Sequence, residues 1–413
     1  MRPKHLALVA AALAIVVGLI WHFTSFTGAP TLTEAAAARW PFAGLFAGSL
    51  EEPKPTAASG TMVEVCGVGQ VAIDPDEPFP AAISQLLLKQ PTPSLDAAVD
   101  ALTTSGKPDD RAIGLYLRWL NRVVKAREAA SNEACEKDRQ CQANLNAIGQ
   151  AAGAADKALL RAHLVSSRDG LSRSLLKQLC DPDDRDCKLG AAQRWAEADG
   201  NNALAWLAVA SAALSTDRET IDRALARAAG ASRAEHYYHR LGLPAASENV
   251  LAAQSFERMT AQLASMGVVA SWSIDNYVAL SSSCSVKEIQ QPRRREDCER
   301  VLTVLFEQDS TALGRNLAAG LGGQRFGWPA DKQQRIRDLM DADLEALERL
   351  GELDPKRMFG CGAAEQVSIS FQDLVKHGEI GAMQRRVARS GATVEALARA
   401  LRERRAVAAQ RFR

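Results

Sequence analysis

The sequence predicts an all-α protein: an irregular stack of antiparallel helical hairpins, preceded by a short extended segment and by one apolar helix at the amino terminus. Three observations predict it. Beyond Pro80 apolar residues recur at helical spacing almost without interruption. Proline- and glycine-containing breaks cut that pattern into segments of about 10 to 25 residues. Nowhere do strands and helices alternate as a parallel sheet requires. The 413 residues are 47% hydrophobic and 24% charged, proportions that allow a substantial core. With 50 basic against 49 acidic residues the net charge is +1, so no global field attracts nucleic acid, and none is expected as a partner.

Taken in order, Arg2 and Lys4 precede a run from Leu6 to Phe23 that carries no formal charge apart from the weakly basic His22. About 20 apolar residues span a bilayer, and cleaved signals are usually shorter, so residues 1–23 read as an export signal retained as a single membrane-spanning anchor. The basic flank lies before the run, which keeps the amino terminus inside and sends the rest outward. A bacterial inner-membrane protein with its carboxyl-terminal domain in the periplasm is therefore expected, or a periplasmic or secreted one if the leader is cleaved after Ala29. Residues 24–60, rich in Ala, Pro, Thr and Gly, read as a flexible tether. Between Thr61 and Ile73, Val63, Val65, Val68, Val71 and Ile73 bracket a glycine pair and predict a lone short strand. The folded domain then covers 61–413.

Within it, Ile113, Leu117, Leu120 and Val124 define one buried helical stripe, and Ile336, Met340, Leu344 and Leu347 another. Breaks are expected at Lys107-Pro108, Asp181-Pro182, Gly242-Leu243-Pro244 and Gly327-Trp328-Pro329.

Export would place the eight cysteines in an oxidising space, where an even number suggests bridges. Cys135 and Cys141 bracket a polar stretch, and Cys180 and Cys187 bracket a proline-containing acidic turn. Cys284 and Cys298 face one groove across the Gln290-Gln291-Pro292 turn. Each is expected to pair locally, which leaves Cys66 with Cys361, tying the start of the folded region to its last fifth. In the chain-entropy model such local bridges contribute about 2 to 3 kcal/mol each and the long one about 5. Zinc is not expected, since no CxxC pair exists and the histidines are not interleaved with the cysteines.

Between Lys188 and Ala229, Ala191, Trp195, Ala196, Asp199 and Asn201 stand where one helical repeat would end. Asn202, Ala203, Trp206, Val209, Ala210 and Ala213 begin the next, with Ile221, Ala224 and Ala228 lining its second helix. Residues 188–229, about a tenth of the chain, resemble a tetratricopeptide repeat. The resemblance implies stacked antiparallel helix pairs with a surface that holds a peptide or protein.

Two local features point to sites. His236 and His239 are three apart in Glu235-His236-Tyr237-Tyr238-His239; on a helix they would share a face, as a metal site needs, although a third ligand is wanting and packing beside tyrosines is the simpler reading. From Thr393 onward, Arg399, Arg402, Arg404, Arg405, Arg411 and Arg413 accompany an apolar edge of Val394, Leu397 and Leu401. This is an amphipathic helix whose arginines suit either an anionic surface or packing on the body. No GxSxG elbow, HExxH, phosphate loop or GxGxxG occurs, and no cofactor is expected. The expected function is non-catalytic: an exported envelope protein that binds a protein or peptide through a helical-repeat surface. The alternatives are an α-helical hydrolase acting on the cell wall and a structural envelope component without a specific ligand. A deep cleft lined by a buried Glu or Asp would favour the hydrolase, and a shallow, elongated groove would favour binding.

Overall fold

The computed structural model describes residues 61–73, 86, 91–130, 139–181, 184–213, 217–270, 275–350 and 359–411. Over these the protein is all-α with one small hairpin. Strands β1 (Thr61–Val65) and β2 (Gly69–Ile73) pair antiparallel, Thr61 opposite Ile73 and Val65 opposite Gly69. The expected lone strand is thus a hairpin. Gly67 and Gly69 turn the chain in backbone conformations with φ of 81° and 104°, which glycine adopts without penalty. Val63 and Val65 then point into a small core with Phe256, Met259 and Phe359.

The first helices are α1 (Pro93–Thr103), α2 (Pro108–Ala130), α3 (Arg139–Ser166), α4 (Gly170–Leu176) and α5 (Arg185–Ala198). Next come α6 (Ala203–Ala213) and α7 (Arg218–Ala229), then a 3₁₀ helix (Tyr238–Ala246), α8 (Glu248–Leu251), α9 (Ser255–Ala270) and α10 (Asp275–Ser283). The last are α11 (Pro292–Gln308), α12 (Ala312–Phe326), α13 (Ala330–Arg349), α14 (Cys361–Arg389) and α15 (Val394–Arg411). Their starts follow ordinary capping chemistry. Pro93, Pro108 and Pro292 open α1, α2 and α11, where a missing N–H costs nothing. Asp169, Asp184, Asp217 and Thr311 cap α4, α5, α7 and α12 through their side chains. Gly327, left-handed at φ 69°, ends α12. The break expected at Gly242-Leu243-Pro244 is instead the middle of the 3₁₀ helix, which holds Pro244.

Helix α6 is apolar all round and correspondingly central, packed by α5, α7, α10 and α11. Trp195, Ala191 and Ala196 of α5 are buried, as are Ile221, Ala224 and Ala228 of α7. Helices α2 and α3 form a long antiparallel pair, with His163 near the end of α3 bonded 2.9 Å from the Pro108 carbonyl at the start of α2. Their close approach depends on Gly153, where a Cβ would lie 2.8 Å from Trp119 and from Val123. At the other end α15 lies on α13 through Leu397 and Ala398. Its arginines meet α13 carboxylates: Arg402 with Asp338 at 2.6 Å, Arg405 with Asp341 at 3.1 Å, and Arg404 with both Glu345 and Glu348.

The expected single-pass inner-membrane placement is corrected. Among the described residues no helix is long and apolar enough to cross a membrane. The longest, α3 and α14, interrupt their apolar residues with charged and amide side chains, so neither offers the run of about 20 that a bilayer demands. The run at 1–23 and the tether at 24–60 lie outside the described residues.

Candidate functional site

Segments distant in sequence converge on residues 233–240. Short parallel bridges join Asn202 to Arg233 and Ala234 to Asp309. The Ser310 N–H donates to the Ala234 carbonyl at 3.2 Å, and the Ser310 carbonyl accepts from Ile380 N–H at 3.2 Å, just beyond the bend of α14 at Gly378. Asn202, fully buried, accepts from the N–H groups of Glu235 at 3.0 Å and Leu204 at 3.2 Å, and donates to Asp199 and to the Glu235 carbonyl at 2.8 Å each. These contacts commit the backbone of 233–235 to partners elsewhere in the chain, so the helix expected across the two histidines does not form.

Tyr237 shows the consequence. It is left-handed, with φ 63° and ψ −7°, the one such non-glycine residue among those described. Its N–H bonds Glu235 Oε1 at 3.0 Å, and its hydroxyl donates to Asp199 at 2.9 Å while accepting from Arg233 at 3.0 Å. Arg233 also pairs with the buried Asp199. Gly170 fits beneath this group because a Cβ there would stand 2.7 Å from both Asp199 Oδ2 and the Tyr237 hydroxyl.

His236 and His239 diverge. His236 precedes the 3₁₀ helix, is 2% exposed, and its Nε2 lies 2.6 Å from the Tyr277 hydroxyl. That hydroxyl donates to Asp309 Oδ2 at 2.6 Å, and Asp309, wholly buried, also accepts from the Thr311 hydroxyl and N–H at 2.8 Å each. Burial pushes Asp309 up to about 7 against the pull of these hydrogen bonds, and burial, with the nearby Lys177 charge, lowers His236 to about 3. Near neutrality the Asp309 carboxyl therefore stands between its protonated and ionised forms, beside a Tyr277 that keeps its O–H and an uncharged His236 imidazole. The chain His236–Tyr277–Asp309 has no exposed end from which to pass a proton to a substrate. His239 instead faces Glu235, Nδ1 to Oε1 3.6 Å, and the Tyr238 ring stands edge-on to both imidazoles, 6.0 and 6.1 Å between centroids. Tyr238 donates to Glu379 at 2.9 Å. Among the described residues no three His, Cys, Asp or Glu side chains come together to hold a metal ion.

A second polar group flanks this one. Asp109 and Asp169 share a hydrogen bond; partial burial, then Asp169, push Asp109 up to about 6. Partial burial also pushes Asp169 upward, but hydrogen bonds from Asp109, Ser167 and Ser172 outweigh it and hold the group below the usual carboxylate range. Arg240 lies 3.9 Å from Asp109 and from Asp110.

A small cavity of about 170 Å³ lies elsewhere, where α3, α4 and α5 meet, and Arg161, Arg194, Asp186, Leu176, Leu179 and Cys187 line it. The described bridges are Cys66–Cys361, Cys180–Cys187 and Cys284–Cys298. Cys141 is also disulfide-bonded, and Cys135 lies outside the described residues. Cys284 and Cys298 are fully buried, whereas Cys187 borders the cavity.

Sequence reading singled out the histidines and placed Asp199 only at the end of a helical repeat, but missed Arg233, Tyr277, Asp309, the Asp109–Asp169 pair and the two arginines of the cavity. One signal was present. Asp309-Ser310-Thr311 ahead of the apolar start of α12 has the composition of a helix cap. No family model, curated protein or solved structure matches the chain.

Proposed function

We propose that this chain is a non-catalytic protein that binds a protein or peptide partner on the surface of its stacked helices. The observation that carries the reading is α3, a helix apolar on two opposite faces of which only one is covered by the described body. Leu145, Leu160 and Leu164 are buried on one side; on the other Ile148, Leu159 and Val165 are 44%, 56% and 41% exposed. An apolar face left open to water is where a further surface can pack. Helix α6 packs against both α5 and α7, as the stacking implied by the tetratricopeptide resemblance would require, and disulfide bridges fit maturation where thiols oxidise. The small volume of the cavity and the sealing of the Asp309 network weigh toward binding rather than turnover. Chemical cross-linking in intact cells, followed by purification with the bridges left oxidised, should yield a defined adduct. Recovery of the uncross-linked chain alone would reject the reading.

A second reading, the α-helical cell-wall hydrolase, draws on the divergent Asp109–Asp169 pair, the arrangement that acid and base roles require. It predicts that the protein releases fragments from peptidoglycan and that Asp109→Asn abolishes the release; an inert wild-type protein would dispose of it.

A further inference from the structure

The exposed side of α3 is regular as well as apolar. Ile148, Ala151, Ala155, Ala158, Ala162 and Val165 are all exposed and follow the alternating three- and four-residue steps of a coiled-coil seam. Alanine at most of these positions lets a second helix approach closely, and Leu159 stands beside the seam as a knob. From Ile148 to Val165 the seam is about 27 Å long.

Charge tells what kind of helix fits. The one acid within α3, Asp156, is 3% exposed and bound to Arg118 at 3.1 Å and Arg122 at 2.7 Å on the covered side. Arg161 lies beside the seam, and Arg194 of α5 faces the same cavity as Arg161, with Asp186 as the one acid among the lining residues, so two cations face a single anion there. Neither arginine has a hydrogen bond or ion pair among the described residues. A second copy of this chain would bring the same cations and no exposed carboxylate from its own α3. A single helix face also falls short of the roughly 800 Å² per partner that a stable interface buries, so complementary charge has to supplement apolar contact.

We infer that the outer face of α3, together with the cavity between Arg161 and Arg194, docks an amphipathic helix of a protein partner that carries small apolar residues in its seam and glutamates or aspartates along its flank. This rests on the partner-binding reading above and specifies its surface and the partner's chemistry. The partner's apolar edge lies along Ile148 to Val165, and one of its carboxylates enters the cavity between the two guanidinium groups, which can each offer paired donors.

The test uses the oxidised full-length chain and two synthetic three-heptad helices with leucine and alanine seams, one flanked by glutamates and the other by lysines. Fluorescence anisotropy at low salt should show the glutamate helix binding at least about tenfold more tightly. Added salt should weaken it, and Arg161→Glu with Arg194→Glu should erase the preference. Ala155→Gln should reduce binding of the glutamate helix while leaving the melting temperature within a few degrees. Equal binding of the two helices, no binding, or a preference untouched by the arginine changes would overturn the proposal. In cells, a photo-crosslinking amino acid at Leu159 should capture a second protein through an acidic helical segment. Capture of this chain's own residues before Thr61, of another copy, or of lipid would overturn it. Adducts that form only from a distant exposed position such as Val286 would reject the α3 surface yet leave partner binding standing, whereas no adduct from any surface position would reject both.

Discussion

The network around Asp309 and the outer face of α3 solve opposite problems. At Asp309, polar side chains lie where water cannot reach, and nearly every donor and acceptor is matched within the protein: His236 to Tyr277, Tyr277 to Asp309, Asp309 to Thr311. On α3, apolar side chains lie where water is plentiful, and among the described residues nothing matches them. Buried polar groups are costly unless paired, so the first region is there to specify a fold. Exposed apolar groups stabilise no fold, so the second suits an encounter with something else.

Mutations should separate the two. The largest loss of stability is expected from Gly314→Ala. Its Cβ would lie 2.0 Å from Asp309 Oδ2 and 2.3 Å from the Tyr277 hydroxyl, atoms locked in the network, and the clash should cost about 3 kcal/mol in urea denaturation. Tyr277→Phe should cost about 2 kcal/mol, because it leaves His236 Nε2 and Asp309 Oδ2 without the hydroxyl they share at full burial, while Thr311 still serves Asp309 Oδ1. An effect below about 0.5 kcal/mol would mean that water enters the network and that the region is not sealed.

The pH dependence is subtler. Asp309 is raised from 3.8 to about 7, so the folded state holds a proton that the unfolded state releases, and its contribution falls as pH rises between those values. His236 is lowered from 6.5 to about 3, so the unfolded state takes up a proton that the folded state refuses, and its contribution falls as pH drops through that window. Between about pH 4 and 6.5 the opposing slopes of these two groups cancel, while Asp109, raised to about 6, adds a fall with rising pH that the variants share. Relative to the wild type, Asp309→Asn should therefore tilt the stability upward with pH over this range, and His236→Phe should tilt it downward. Parallel slopes in the two variants, followed by thermal melts, would contradict the assignment. The smallest effect on stability is expected on α3: Leu159→Gln should change it by less than about 0.5 kcal/mol. A large loss there would mean that the face is covered within the folded chain.

The sequence displays what is local. Helical periodicity marked α2 and α13 as helices, but of the two expected stripes only Ile113 and Ile336 are buried, and the buried faces run instead through Tyr116, Trp119 and Val123 and through Ala342 and Ala346. The proline positions marked helix starts, and the turn around Pro292 marked the Cys284–Cys298 bridge. The path of 233–240 is set by contacts that no window of sequence contains. Asn202 reaches across 33 residues to Glu235, and Tyr277 across 41 to His236, so a helical spacing of histidines was overridden by tertiary partners. Gly378 is similar. Its φ of 69° interrupts α14 where Ser310 must meet Ile380, a requirement visible only after folding. The seam on α3 was legible in its alanines, but two apolar stripes on one helix cannot be told apart until one is seen to be covered.

The bridge between Cys66 and Cys361 has a sequence separation of 295 residues, and this fixes an order of events during biogenesis. A ribosome adding about 5 to 20 residues per second needs roughly 15 to 60 s to make the second cysteine after the first. Until Cys361 is made, Cys66 has no native partner, while Cys141 and the cysteines of Cys180–Cys187 and Cys284–Cys298 are made one after another. Where oxidation begins before the chain is complete, correct pairing depends on the local loops closing before the early thiol captures one of their sulfurs, a race that a disulfide isomerase would be well placed to referee.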